Sequence, residues 1–136
     1  MVEYNTVIIG SGIAGMSCAI YLKRANISVL VIENYMPGGQ LNKAGVIENY
    51  PGYVAIDGPE LAMRLLEQVD NYKVDYVYGE VLEVDYKNKI EVTYSGEYKY
   101  TNLVLATGRR ERLLDLVGEE EAIGKGISLC ATCDGA

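Results

Sequence analysis

Apolar residues come in short blocks along this chain, and the spacing of the blocks predicts its elements. Residues 6–9 (T-V-I-I) form a β-branched apolar run that reads as a buried strand. Gly10 to Gly12 form a turn, and residues 13–24 read as a helix with Ala14, Cys18 and Tyr21-Leu22 on one face. Residues 28–32 (S-V-L-V-I) are a second buried strand, which completes a βαβ unit with a right-handed parallel crossover. Residues 33–58 read as irregular, broken by Pro37-Gly38-Gly39 and Pro51-Gly52. Asp57-Gly58-Pro59-Glu60 then opens a helix with proline in its first turn, running through Leu61, Met63, Leu65, Leu66 and Val69. The texture changes after residues 73–78. Residues 80–85, 89–94 and 97–100 alternate in part, with Lys87-Asn88 and Ser95-Gly96 between them, and predict an antiparallel three-stranded meander. Residues 102–106 return to a buried strand that stops at Thr107-Gly108. The expected fold is α/β: a Rossmann-like βαβ sheet with a small antiparallel β-meander inserted before the last strand.

Composition narrows the chemistry. A length of 136 residues suits one compact domain with a core of its own. The net charge of −7, with only 12 Lys and Arg, argues against nucleic acid or an anionic membrane as partner. The first residues carry no basic stretch followed by an apolar core, and no later run approaches transmembrane length. The expected location is therefore cytoplasmic. Three cysteines, an odd number, argue against a secreted disulfide scaffold. The chain has no His, Phe or Trp. Acid–base chemistry must come from a carboxylate, Cys, Tyr or Lys, and histidine metal sites and Ser-His triads are excluded within it.

Gly10-Ser11-Gly12-Ile13-Ala14-Gly15 spells G-x-G-x-x-G between the predicted strand and helix. In such a turn Gly10 permits the tight bend, Gly12 lets a pyrophosphate approach the backbone, and Gly15 lets helix and strand pack closely. The phosphates would meet free N–H groups at the helix N-terminus. Glu33 ends the second strand, where a carboxylate accepts hydrogen bonds from ribose hydroxyls and repels a 2′-phosphate. The site therefore favours FAD or NAD over NADP. The long Gly-Pro loop and the meander suit the larger cofactor.

These motifs, with Gly38-Gly39-Gln40-Leu41, Glu48-Asn49-Tyr50-Pro51-Gly52, Ala106-Thr107-Gly108 and Cys130-Ala131-Thr132-Cys133-Asp134-Gly135, resemble low-molecular-weight thioredoxin reductases nearly end to end. The resemblance implies FAD bound by Gly10, Ser11, Gly12, Ala14, Gly15 and Glu33. Gly38, Gly39, Gln40 and Asn49 would line the ribityl and flavin region. The backbone of Val81 would meet the adenine, and Thr107 and Gly108 the cofactor's middle. An Asx-turn for Asn49 and plain core packing for Val81 are the alternatives. Residues 1–112 would be the first stretch of an FAD-binding domain, and 113–136 the start of a nucleotide and redox domain.

C-x-x-C beside a flavin domain reads as a redox dithiol. A zinc half-site is the competing reading, but zinc wants four ligands and the other soft one, Cys18, falls inside the first helix. Cys18 reads as a small buried apolar residue. The resemblance assigns Cys133 to face the flavin and receive its electrons, Cys130 to attack the substrate disulfide, and Asp134 to act as acid–base. Capping a turn is a compatible role for Asp134. The partners so implied are a thioredoxin-like protein disulfide and a second copy of the chain in a homodimer. NADPH is expected from a second nucleotide domain following residue 136, with ferredoxin as an alternative electron donor. A non-catalytic FAD-binding module, with the cysteines as passengers, is the third reading. No second G-x-G-x-x-G is present, and Arg109, Arg110 and Arg112 read as a solvated linker. The chain is thus expected to be the front part of a longer enzyme, without NADPH-dependent turnover by itself.

Overall fold

The computed structural model describes residues 2–93 and 95–131. In chain order the elements are strand β1 (Val2–Ile9), helix α1 (Ile13–Arg24), strand β2 (Val29–Glu33) and a 3₁₀ turn (Gly39–Lys43). Strands β3 (Val46–Ile47) and β4 (Ile56–Asp57) lead into helix α2 (Gly58–Asn71). Strands β5 (Asp75–Tyr78), β6 (Val81–Asp85), β7 (Ile90–Thr93) and β8 (Gly96–Leu105) follow, and a short helix α3 (Glu119–Ala122) comes last.

Six strands make one sheet in the order β5-β2-β1-β8-β7-β6. The first four are parallel, with Ile8 opposite Val31 and Ile9 opposite both Ile32 and Leu105. The last three are the antiparallel meander. Alternation along β1 and β2 divides the core between the two sheet faces. Ile8, Val29 and Val31 face α1 and α2, joining Met16, Ala19, Leu61, Leu65 and Val69. Val7, Leu30 and Ile32 face the other way, against Tyr100 and the half-buried Val81, Val84 and Tyr98 of the meander. Each large aliphatic side chain so buried is worth about 1.5–3 kcal/mol. A sheet covered on both faces therefore reads as unbroken apolar runs, as residues 6–9 and 28–32 do.

Four expectations change. The predicted strands 97–100 and 102–106 are one continuous strand, β8. The polar pair Thr101-Asn102 reads as a break in sequence, but β1 pairs along the length of β8, from Val2–Tyr98 to Ile9–Leu105. Asn102 also donates to Asn5 Oδ1 at 3.2 Å. The meander is accordingly the antiparallel edge of the main sheet, its third strand running on as the parallel part of β8. Residues 73–78, which carried no predicted element, contain β5, an edge strand paired with β2. The stretch 33–58 holds the 3₁₀ turn and the β3–β4 hairpin. Finally, α1 buries Gly15, Met16, Ala19 and Ile20, while Ala14 and Tyr21 are exposed. The contact of Gly15 with the loop below it sets the helix rotation, and apolar spacing alone does not report that. Met63 is likewise exposed, because α2 buries Leu61, Ala62, Leu65 and Val69 instead.

Candidate functional site

Several loops converge at the C-terminal edge of the parallel strands, where ligands bind in open α/β sheets. The ladder runs past the strand ends: the Gly10 amide donates to the Ile32 carbonyl and the Ala106 amide to the Ile9 carbonyl, both at 2.8 Å. This brings Gly10–Gly12, Glu33 and Ala106–Gly108 to one edge. The Gly38 amide donates to the Ser11 carbonyl at 2.7 Å, drawing in the 3₁₀ turn from the helix side.

The three glycines of the turn do different work. Gly10 has φ +99°, and a Cβ there would overlap the Ala106 carbonyl oxygen. At Gly15 a Cβ would overlap the carbonyl oxygen of Gly10 and meet Ile8 Cγ2 at 3.4 Å. Both positions are required by the fold. Gly12 is not: its φ of −71° and ψ of −174° suit any residue, and a Cβ there has nothing within 4 Å. A Cβ built on Gly39 points back at the Gly12 Cα, 3.6 Å away. The open space at Gly12 is a cradle that a side chain would fill. Gly12 is also the N-cap of α1, with no side-chain cap and no acidic residue in the first turn. Helix N–H groups aimed into a cradle without a carboxylate suit a phosphate.

Glu33 is held at the end of β2 by three donors. The Ser11 amide and the Ser11 hydroxyl both donate to Oε2 at 2.8 Å, and the Tyr35 amide donates to Oε1 at 2.8 Å. A carboxylate has about four lone-pair sites, so one on Oε1 stays open. Ser11 is fully buried. Nothing in the sequence pattern singles out Tyr35 as a site residue. Its role is that of a backbone donor, which side-chain identity does not signal.

The remaining positions divide between structural and open. Gln40 is exposed, and its Nε2 donates to the Arg109 carbonyl at 2.8 Å, tying the 3₁₀ turn to the exit of β8. The guanidinium of Arg110 stands 4.8 Å from the Tyr35 ring centroid. Arg109, Arg110 and Arg112 are all exposed, and Arg110 adds this aromatic contact. Ala14, Gly39, Thr107 and Gly108 are exposed along this edge, and Asn49, after β3, is exposed. Val81 begins β6 half-buried against the meander-side core. Buried Glu119 accepts from the Leu114 amide at 2.9 Å and the Leu116 amide at 3.1 Å, folding the loop after β8 onto α3.

Cys130 is half-buried, disulfide-bonded, and has its amide on Ser128 Oγ at 3.2 Å. Cys133 and Asp134 lie outside the described residues. Cys18 is a free thiol, half-buried on α1 beside the helix-side core. Among the described residues no group of three or more potential ligands could hold a metal ion, and no helix is long and apolar enough to cross a membrane.

The sequence pattern of the pyridine nucleotide-disulphide oxidoreductases matches residues 4–136. The chain belongs to that family. Within the family it is 42% identical over 135 residues to the thioredoxin reductase of Bacillus subtilis, covering 98% of this chain and 43% of that protein. The crystal structure of thioredoxin reductase from Streptococcus pyogenes matches 99% of the chain and 45% of its own length, with 44% identity and a TM-score of 0.87. A ferredoxin-flavin thioredoxin reductase from Clostridium acetobutylicum matches at 31% identity and a TM-score of 0.74, covering 98% of this chain and 47% of its own. The chain thus spans under half the length of the relatives it matches, and its α/β fold is that of the corresponding part of thioredoxin reductases.

Proposed function

We propose that this chain is the FAD-binding part of a thioredoxin reductase that carries electrons from NADPH to a Cys130–Cys133 dithiol and on to a thioredoxin-like disulfide. The cradle at Gly12 carries this reading. It is a glycine that neither backbone conformation nor packing requires, facing Gly39, beside a carboxylate held ready for a ribose. FAD, when bound, supplies the two-electron relay between the nicotinamide and the dithiol. The chain's own residues bind and orient it. First-turn amides of α1 meet the pyrophosphate, Glu33 Oε1 accepts from the ribose, and residues 38–40, Asn49 and 107–108 border the rest. Residues 113–136 open a second domain in this proposal.

At the dithiol, two electrons and a proton open the disulfide to a Cys130 thiol and a Cys133 thiolate. Loss of the Cys130 proton to a base, assigned to Asp134, makes the nucleophile that attacks the substrate disulfide. Two copies of the complete protein associate.

Titration with FAD followed by gel filtration and visible absorption tests the binding step. Binding through the ADP half, with the flavin ring loosely held and partly lost on the column, is expected, and a protein that binds neither FAD nor ADP would overturn the proposal. Glu33→Ala should weaken ADP binding by about 1–3 kcal/mol, through loss of a charge-assisted hydrogen bond to ribose. An unchanged dissociation constant in calorimetry would remove Glu33 from the site. These 136 residues contain one G-x-G-x-x-G, so NADPH alone should support no steady disulfide turnover with this chain. With the complete protein, NADPH and reduced ferredoxin offered in parallel identify the donor, and turnover with ferredoxin alone would correct the assignment of NADPH.

A further inference from the structure

We propose that Tyr76 is a positioning residue for the ribose carboxylate: its hydroxyl receives the Ser11 hydroxyl displaced from Glu33 when a 2′,3′-diol binds, and so sets the site's preference for a complete ribose. This rests on the dinucleotide reading above.

The register of β2 and β5 sets Tyr78 opposite Glu33 and Tyr76 opposite Val31, so the two tyrosines share the helix-side face with Glu33. Their rings lie 5.1 Å apart. The Tyr76 hydroxyl is fully buried and has no hydrogen-bond partner among the described residues. Its neighbours are Ser11 and the negative charge of Glu33, and burial pushes its pKa well above the usual phenol value. The group therefore stays a neutral phenol, with its oxygen free to accept from the Ser11 hydroxyl. Phenylalanine would fill the same space without an unpaired buried hydroxyl, so packing alone does not account for a tyrosine.

Counting donors and acceptors supplies a reason. Glu33 has one open lone-pair site, on Oε1, whereas a ribose diol brings two O–H groups. One resident donor must leave. The Ser11 and Tyr35 amides belong to the backbone, which leaves the Ser11 hydroxyl as the one that can rotate away. Its O–H can then turn to the Tyr76 oxygen beside it, which has acceptor capacity to spare. Binding a diol thus exchanges the Ser11–Glu33 bond for a ribose–Glu33 bond, and the Ser11 hydroxyl donates to Tyr76 instead of being left unpaired. A ligand with a single ribose hydroxyl uses the open site on Oε1 and displaces nothing.

The test uses ADP and 2′-deoxy-ADP as probes, titrated calorimetrically into this chain, Tyr76→Phe, Ser11→Ala and the double variant. Tyr76→Phe is expected to weaken ADP roughly 3- to 10-fold, the worth of one net hydrogen bond, and to leave 2′-deoxy-ADP within about twofold. Its unfolding midpoint without ligand should equal or exceed the parent's, since the substitution removes an unpaired buried hydroxyl. In the Ser11→Ala background, Tyr76→Phe should change neither affinity. Equal weakening of both ligands would make Tyr76 merely structural, and unchanged ADP binding would overturn the proposal while leaving the dinucleotide site standing. If the parent chain bound neither probe, the dinucleotide reading and this one would fall together.

Discussion

Gly12→Val is expected to abolish retention of FAD and ADP while leaving the protein folded. The position adopts an extended backbone open to any residue, and an added Cβ meets nothing within 4 Å. The fold therefore loses little beyond a poorer N-cap, about 1 kcal/mol at most. The ligand loses far more. The branched side chain stands where the pyrophosphate must approach the α1 amides, and it faces Gly39 across the cradle. Losing two charge-assisted contacts, at about 1.5–3 kcal/mol each, amounts to roughly 10²- to 10⁴-fold in affinity. Calorimetry with ADP, beside far-ultraviolet circular dichroism of the same sample, separates the two effects. Parental affinity in a folded Gly12→Val protein would show that phosphate does not bind there.

Gly15→Val, three residues along the same helix, is expected to do the opposite and strike the fold itself. Here a Cβ would overlap the Gly10 carbonyl oxygen and press on Ile8 Cγ2, and these are backbone and core atoms with no room to retreat. Relief requires lifting α1 off the sheet, which uncovers Met16 and Ala19, both fully buried. Overpacking of this kind costs about 1–3 kcal/mol, and uncovering part of the core adds to it. A total of about 3 kcal/mol or more is a large share of the 5–15 kcal/mol typical of a domain. A urea titration reads it as a lowered midpoint with an unchanged slope. A midpoint equal to the parent's would mean that helix and strand are not locked at this contact.

The contrast between these glycines marks how far sequence reading reaches. The G-x-G-x-x-G string points to a phosphate-binding turn, but which glycine serves the ligand and which serves packing depends on what lies across each one. Ala106, which meets Gly10, is almost a hundred residues away in the chain. The burial of α1 shows the same limit. Its bounds, residues 13–24, are legible from the flanking glycines and the apolar run. Its rotation is not, because the Gly15 contact overrides the weak periodicity of a helix with apolar residues on several sides. Thr101-Asn102 interrupts the apolar pattern of β8, yet β1 holds both halves in register.

By itself, then, the sequence determined the α/β class, the βαβ unit, the glycine turn and the acid at the end of the second strand. These depend on neighbouring residues: β-branched runs favour buried strands, glycine admits φ near +99°, and a strand's length sets where its last residue falls. Only the tertiary structure decided what Glu33 is bonded to and that the Tyr76 hydroxyl is buried without a partner among the described residues. It also merged the meander with the main sheet. Those outcomes join residues far apart in the chain. Hydrogen bonds and packing act over a few ångströms of space, so a side chain's partners are set once the strands are in register.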